Sequence, residues 1–123
     1  MALDAHFPEP AQLDAYGNGG FRFADMSHKG SILVLPSGVH GWDAASAADL
    51  TADDLADAIA QKDGMEFLIL GTGAETHPLF ALKRAMRERG LRIEAMTTGA
   101  AARTFNVLLG EERKVGAALI AVD

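Results

Sequence analysis

Two short segments that combine glycine with threonine are the parts of this sequence best suited to hold a ligand. Gly71-Thr72-Gly73 follows one apolar run and Thr97-Thr98-Gly99 follows the next, and a helical pattern comes after each. Glycine lets a backbone approach a ligand closely, and free amides at a helix start favour an anion. Arg22 or Arg103 would add a positive charge. These residues form one candidate site, a pocket for a phosphate, a carboxylate or a polar metabolite.

Glycine and threonine also have a purely structural use, because they turn the chain and cap helices. The spacing departs from the dinucleotide-binding motif GxGxxG, whose third glycine position holds Thr76 here. The acidic residue that the motif places about 20 positions further on would be Glu94, in the middle of a predicted strand. We therefore predict no cofactor, and the structural alternative stays open.

No catalytic constellation is recognisable in the sequence. Asp25, Ser27 and His28 have the residue types of a triad, but near neighbours on one strand or turn point in different directions. Ser37 lacks the GxSxG pattern of a nucleophile elbow. The chain has no cysteine, and its four histidines lack the short spacing of a local metal pair. We predict no metal site. The sequence leaves enzymatic activity open but favours a protein without it.

A predicted helix from Ala100 to Leu109 carries the first candidate partner surface. Phe105 lies on its core side, whereas Arg103 points roughly the opposite way, with Val107 beside it and Asn106 between the two sides. A helix with apolar residues on its second side is not fully solvated. Either another segment of the chain or a partner protein would cover this side.

A second candidate partner surface lies on the helix that Pro78 is predicted to open. Its outward side presents one aromatic residue among three basic residues, Phe80, Lys83, Arg84 and Arg87. An exposed phenylalanine among cations can anchor a protein contact. A run of charges is also the ordinary composition of a solvated face, so both interpretations stay open.

The apolar pattern predicts strands in the first third of the chain and alternating strands and helices later. Ile32-Leu33-Val34-Leu35 is a continuous apolar run, typical of a strand covered on both faces. Further predicted elements are a strand at Phe21–Phe23, a turn at Ser27–Gly30, a strand at Val39–Trp42, a helix from Thr51 to Gly64, and strand, helix, strand, helix, strand from Phe67 to Val122. The predicted fold class is α/β, with one mixed sheet, an antiparallel N-terminal meander joined to a parallel C-terminal βαβαβ unit, and helices packed on the sheet.

Length and charge exclude several classes of protein. A chain of 123 residues suits one domain, and we expect a partly ordered segment at residues 1–12 followed by a single α/β domain at residues 13–123. The formal net charge of −6 argues against nucleic-acid binding. No run reaches the roughly 20 apolar residues of a membrane span, and no signal peptide is recognisable. We predict a cytoplasmic protein without direct membrane insertion.

Three segments resemble a known family of small α/β domains. They are Tyr16-Gly17-Asn18-Gly19-Gly20-Phe21-Arg22-Phe23, the Gly71–Gly73 loop and, most specifically, Thr98-Gly99-Ala100-Ala101-Ala102-Arg103-Thr104-Phe105-Asn106. The family is the one that includes mitochondrial complex I assembly factor 3, and the resemblance runs from about Leu13 to Val122. It implies a mixed α/β fold, no established enzymatic activity and a role in assembling NADH:ubiquinone oxidoreductase. The chain is similar to a bacterial member, since it shows no transit peptide.

Two functions therefore compete. The first is a non-catalytic protein-interaction or assembly-factor domain, linked to the assembly of a respiratory or membrane complex, with a protein partner on one of the two helix surfaces. The second is a domain that binds an anionic small molecule at the two glycine loops, with an enzymatic role left open. A homo-oligomer is compatible with either. We favour the first, because no acid and base pair of the kind that general catalysis needs is evident.

Overall fold

Two β-sheets organise residues 7–123, the part of the chain that this computed structural model describes. The strands are β1 (Leu13–Gly17), β2 (Gly20–Phe23), β3 (Met26–Lys29), β4 (Ser31–Leu35), β5 (Gly38–Trp42), β6 (Phe67–Gly71), β7 (Ile93–Met96) and β8 (Val115–Leu119). The helices are α1 (Ala56–Ala60), α2 (Phe80–Glu88) and α3 (Thr98–Gly110). Short 3₁₀ turns lie at Ala47–Asp49, Ala52–Leu55 and Lys62–Gly64.

The central sheet has five strands in the order β5-β4-β8-β6-β7. β6 pairs in parallel with both β7 and β8, and β4 pairs antiparallel with β5 and β8. The predicted parallel βαβαβ unit is confirmed, and β6 lies between the other two parallel strands. Since the chain moves to one side of β6 and then to the other, α2 and α3 pack on opposite faces of the sheet.

The N-terminal meander forms a second sheet of three antiparallel strands in the order β1-β2-β3. The predicted fold class is confirmed, but the structure divides the antiparallel strands between two sheets, because β4 leaves the meander after Gly30 and joins the central sheet. Gly30 has φ 95°, a left-handed conformation that glycine adopts without strain. Phe21 and Phe23 are buried on the core side of the small sheet.

The core consists of two apolar clusters, one on each face of the central sheet. Successive strand residues point to opposite faces. In β4, Ile32 and Val34 face the small sheet and α3, whereas Leu33 and Leu35 face α1 and α2. The prediction that Ile32–Leu35 is covered on both faces is confirmed, because every residue of β4 is buried. The molecule thus has three layers.

Several predicted boundaries were wrong. His28 lies in β3 instead of a turn, because β2 pairs with Met26–Lys29 over its full length. α2 begins at Phe80, two residues after Pro78, since Leu79 has a left-handed backbone (φ 51°) that interrupts the helix. α1 ends at Ala60 and β8 at Leu119, so both are shorter than predicted.

The chain that precedes the small sheet is also held by contacts. Phe7 pairs with Val39 through a backbone hydrogen bond of 3.0 Å from the Val39 N–H to the Phe7 carbonyl. Gly38 passes so close to the Phe7 carbonyl oxygen that a Cβ there would collide with it. Of the segment predicted to be partly ordered, residues 1–6 lie outside the described residues.

Asn106 of α3 covers the outer edge of β1. Its Oδ1 accepts a hydrogen bond from the Leu13 N–H at 2.7 Å, and its Nδ2 donates to the Leu13 carbonyl at 2.8 Å. Gln12 adds a bond from its Nε2 to the Asn106 carbonyl at 2.9 Å. An uncovered strand edge offers free backbone groups to other chains, so Asn106 both fixes β1 and closes this edge at Leu13.

We predict that Asn106→Asp destabilises the fold. The carboxylate can still accept from the Leu13 N–H, but the Leu13 carbonyl loses its donor and faces a negative charge. An unsatisfied, partly buried group costs about 1–3 kcal/mol, which urea unfolding would measure. The matched control is Val107→Asp, which adds the same charge at the next, exposed position. Equal unfolding free energies for the two variants would contradict the role of Asn106.

Candidate functional site

The two glycine loops lie side by side at the carboxyl ends of β6 and β7, as the sequence predicted. The Thr72 N–H donates to the Met96 carbonyl at 2.8 Å, and the Thr98 N–H donates to the Gly73 carbonyl at 2.9 Å. This position, where the chain order of the parallel strands reverses, is the usual ligand site of open α/β sheets.

Thr98 fills the crevice between the loops. Its side chain is fully buried, and its Oγ1 accepts from the Gly73 N–H at 2.9 Å and donates to the Ile120 carbonyl at 2.7 Å. A Cβ on Gly71 would come within 2.9 Å of both Thr98 Oγ1 and the Leu119 side chain. Gly71 is therefore required by packing against its own chain, and the crevice holds protein side chains.

Thr72 and Thr97 are engaged in the same way. The Thr72 hydroxyl bonds to the carbonyls of Glu75 at 2.6 Å and Met96 at 3.1 Å. The Thr97 hydroxyl caps α3 by accepting from the Ala100 N–H at 3.4 Å. These bonds support the structural alternative for the two loops, in which their hydroxyls turn and cap the chain.

A hollow of about 450 Å³ does open beside Thr72 and Gly73. Its lining includes Glu75 and Asp123, whose carboxylates oppose an anionic ligand. Neither Arg22 nor Arg103 is among its lining residues. The pocket at the glycine loops stays a prediction, but the cations invoked for it do not gather there.

A polar cluster that the sequence did not reveal lies at the turn between β4 and β5. Ser37 Oγ is 2.7 Å from Nε2 of His40, and the Gln61 side chain donates to Ser37 Oγ at 2.8 Å and accepts from the Ser37 N–H at 2.9 Å. His40 is 1% exposed. A serine against a histidine has nucleophile-and-base geometry, but Gln61 binds both the backbone and the hydroxyl of Ser37. The contacts tie the turn to the end of α1.

The candidate partner surface on α2 has the exposure that the sequence predicted. Phe80 is 76% exposed, whereas Leu82 and Met86 are buried on the opposite side. The three basic residues Lys83, Arg84 and Arg87 follow Phe80 at helical spacing on one face. Within residues 7–123, none of the three cations forms a salt bridge. Their charges are therefore available to a partner.

The candidate partner surface on α3 is only partly open. Arg103 is exposed and Val107 is 59% exposed, but Asn106 is bonded to β1 as described above. The small sheet thus supplies part of the intramolecular cover that the helix pattern called for. Arg103 and Val107 remain at the surface, one helical turn apart.

A strong ion pair lies at the amino ends of β6 and β8, away from both glycine loops. Arg113 donates from its Nε and its terminal nitrogen to the two carboxylate oxygens of Glu66, both at 3.0 Å. These hydrogen bonds lower the pKa of Glu66 and raise that of Arg113. The pair is exposed and joins the loop before β8 to the start of β6.

Residues 7–123 contain no group of three or more His, Asp or Glu side chains placed to hold a metal ion. In the same range, no helix has the length and apolar character needed to cross a membrane.

The three layers around a mixed five-stranded sheet define a small α/β domain. The family described as "Protein of unknown function (DUF498/DUF598)" matches residues 13–120, and the chain belongs to this family. The resemblance inferred from the sequence is therefore confirmed.

Proteins named as assembly factors, and one uncharacterised bacterial protein, are similar in sequence to this chain. Over 119 residues the chain is 34% identical to "NADH dehydrogenase [ubiquinone] 1 alpha subcomplex assembly factor 3" of Mus musculus, covering 96% of this chain and 64% of that protein. The human protein of the same name is 35% identical over 109 residues, covering 88% and 59%. An uncharacterised protein of Rhodobacter capsulatus is 37% identical, covering 88% and 82%. The chain thus spans less than two thirds of these assembly factors.

Solved structures share the fold. A crystal structure from Bartonella henselae, titled as that of an outer membrane protein, has a TM-score of 0.89 at 49% identity, covering 96% of this chain and 100% of the other. A solution structure from Bordetella pertussis, titled as a Mth938-like domain, has a TM-score of 0.76 at 30% identity, covering 98% and 92%.

We predict that Thr98→Val destabilises the protein although valine has nearly the same shape. The substitution leaves the buried Gly73 N–H and Ile120 carbonyl without their partner, at about 1–3 kcal/mol for each unsatisfied group. Thr98→Ser keeps the hydroxyl and is the matched control. Thermal and urea unfolding would measure both. Unchanged stability in the valine variant would show that the hydrogen bonds of the Thr98 hydroxyl do not stabilise the fold. The crevice would then again be a candidate ligand site.

Proposed function

We propose that this chain is a non-catalytic assembly-factor domain that binds a protein partner during construction of an NADH:quinone oxidoreductase. The observation that carries the proposal is family membership together with 34% identity to relatives named as assembly factors of that complex. The proposal retains a cytoplasmic location. It concerns the domain shared with the relatives, since the chain spans 64% of the mouse protein.

The filled crevice supports a binding role over a catalytic one. In a doubly wound sheet, an enzyme of this class would use the carboxyl ends of the parallel strands. Here Thr98, Thr72 and Gly73 bond to other parts of the chain at that place. Because side chains of the protein fill the crevice between the two loops, the outer surfaces are the better candidates for binding a partner.

We propose the α2 surface, formed by Phe80, Lys83, Arg84 and Arg87, as the main partner contact. A phenylalanine that is 76% exposed leaves much of its apolar area in water, which a partner would remove. The three cations form no salt bridge with any residue in the described range 7–123, which is unusual on a chain of net charge −6. The α3 surface, with Arg103 and Val107, is the second candidate for the same function.

Deleting the gene in its native cells tests the function itself. We expect loss of the assembled oxidoreductase on native gels and a matching loss of NADH-dependent quinone reduction by membranes, both restored by the wild-type gene. Unchanged amounts of the assembled complex in the deletion strain would contradict the assembly role.

The surface is tested separately by Phe80→Ala. Removing a central aromatic contact typically costs a complex 2 kcal/mol or more, so we expect the tagged variant to lose a co-purifying protein that the wild type retains. Unchanged unfolding of the variant would confirm an intact fold. The matched control is Val107→Ala, the exposed apolar residue of α3. If Val107→Ala loses the co-purifying protein and Phe80→Ala retains it, the partner contact lies on α3.

A further inference from the structure

A hollow on the outward face of the small sheet differs in charge from the hollow beside the glycine loops. The register pairs Ala15 with Arg22 and Arg22 with Ser27. It also pairs Gly17 with Gly20, and Gly20 with Lys29. Residues paired across strands share a face, and all these residues line one hollow of about 450 Å³. The opposite face carries Phe21 and Phe23, which anchor the sheet to the core.

The face has a low floor and a polar rim. Ala15, Gly17 and Gly20 contribute almost no side chain, and apart from its chain neighbours no atom lies within 4 Å of the place where a Gly17 Cβ would stand. The exposed side chains of Arg22, Ser27 and Lys29 stand around this floor. A backbone floor of this kind lets a ligand approach the strands closely.

The rim is cationic and its lining contains no acidic residue. Arg22 and Lys29 each carry a full positive charge, and neither forms a salt bridge to any other residue of the described chain. The hollow beside Thr72, of similar volume, is lined instead by Glu75 and Asp123. On a chain of net charge −6, this hollow combines an acid-free lining with two cations that form no salt bridge within residues 7–123.

The dimensions and donors favour one class of ligand. Arginine offers a planar fork for two oxygen atoms of one anionic group, and lysine acts as a compact charge for phosphate. The Ser27 hydroxyl and the Asn18 amide add neutral donors at the lining. A volume of about 450 Å³ lies in the range of small-molecule sites and exceeds the needs of a bare phosphate ion.

We propose that this face of the small sheet, centred on Arg22 and Lys29, binds a small organic phosphate. The Arg22 guanidinium and the Lys29 ammonium hold the phosphate group, and the glycine floor accommodates the organic part. The proposal is independent of the assembly role, because Phe80 and α2 lie beyond the opposite face of the central sheet. The sequence suggested an anion site at the glycine loops of the central sheet, whereas this proposal places an anion site on the small sheet.

The test is a titration of the full chain, labelled with nitrogen-15, with phenyl phosphate at constant ionic strength. We expect saturable shifts of the Gly17, Gly20 and Lys29 amide signals, with no shift at Gly73 or Thr98. Each of Arg22→Gln and Lys29→Gln should raise the Kd about tenfold, as loss of a charge-assisted hydrogen bond does. The same spectra report whether each variant is folded.

The matched control is the double variant Arg84→Gln with Arg87→Gln, which removes two charges from α2 and should leave the Kd unchanged. An equal loss of affinity in this control would show that phenyl phosphate responds only to the overall charge of the protein, and this result would overturn the proposal. Shifts that do not saturate would overturn it as well. Vesicles of phosphatidic acid in phosphatidylcholine form a separate arm. Binding to these vesicles without any response to phenyl phosphate would replace the small molecule by a lipid surface.

Discussion

Burial of both faces of the central sheet is the constraint on which the rest of this structure depends. β4, β6 and β8 contain only apolar residues and glycine apart from Ser31, and each of their residues is buried. Burying one large aliphatic side chain contributes about 1.5–3 kcal/mol, so neither face can be left in water. One face is covered by α1 and α2, and the other needs both α3 and the small sheet. The meander is therefore part of the core, held in place by Phe21 and Phe23.

The same constraint explains why the residues that look most like a ligand site serve the fold. Where β6 ends between β7 and β8, the sheet leaves a crevice that must be filled or hydrated. Thr98 fills it with a side chain whose hydroxyl satisfies two buried backbone groups. Gly71 is needed because no Cβ fits against Thr98 there. Packing and hydrogen bonding therefore account for Gly71 and for the Thr98 hydroxyl, and the pocket beside Thr72 and Gly73 stays a prediction.

Charge is distributed in a way that composition does not show. The chain is acidic overall, yet cations without salt bridges to described residues gather at two separate places, the α2 surface around Phe80 and the outward face of the small sheet around Arg22. The two places lie on opposite sides of the central sheet, so a protein contact at one leaves the other accessible. Under the two proposals, a protein would be held on one side of the central sheet and a small organic phosphate on the other.

The sequence by itself determined the fold class, the order of the strands and helices from Phe67 onward, the double burial of Ile32–Leu35 and the exposure of Phe80, because local periodicity reports which side chains avoid water. Because β6 and β7 pair in parallel, the two glycine loops that follow them lie beside each other. Only the tertiary structure decided that the meander forms its own sheet, that Asn106 covers β1 and that Arg22 lines the same hollow as Lys29 instead of the hollow beside the glycine loops. These contacts join residues distant in sequence, and no local pattern encodes which distant partner a side chain will meet.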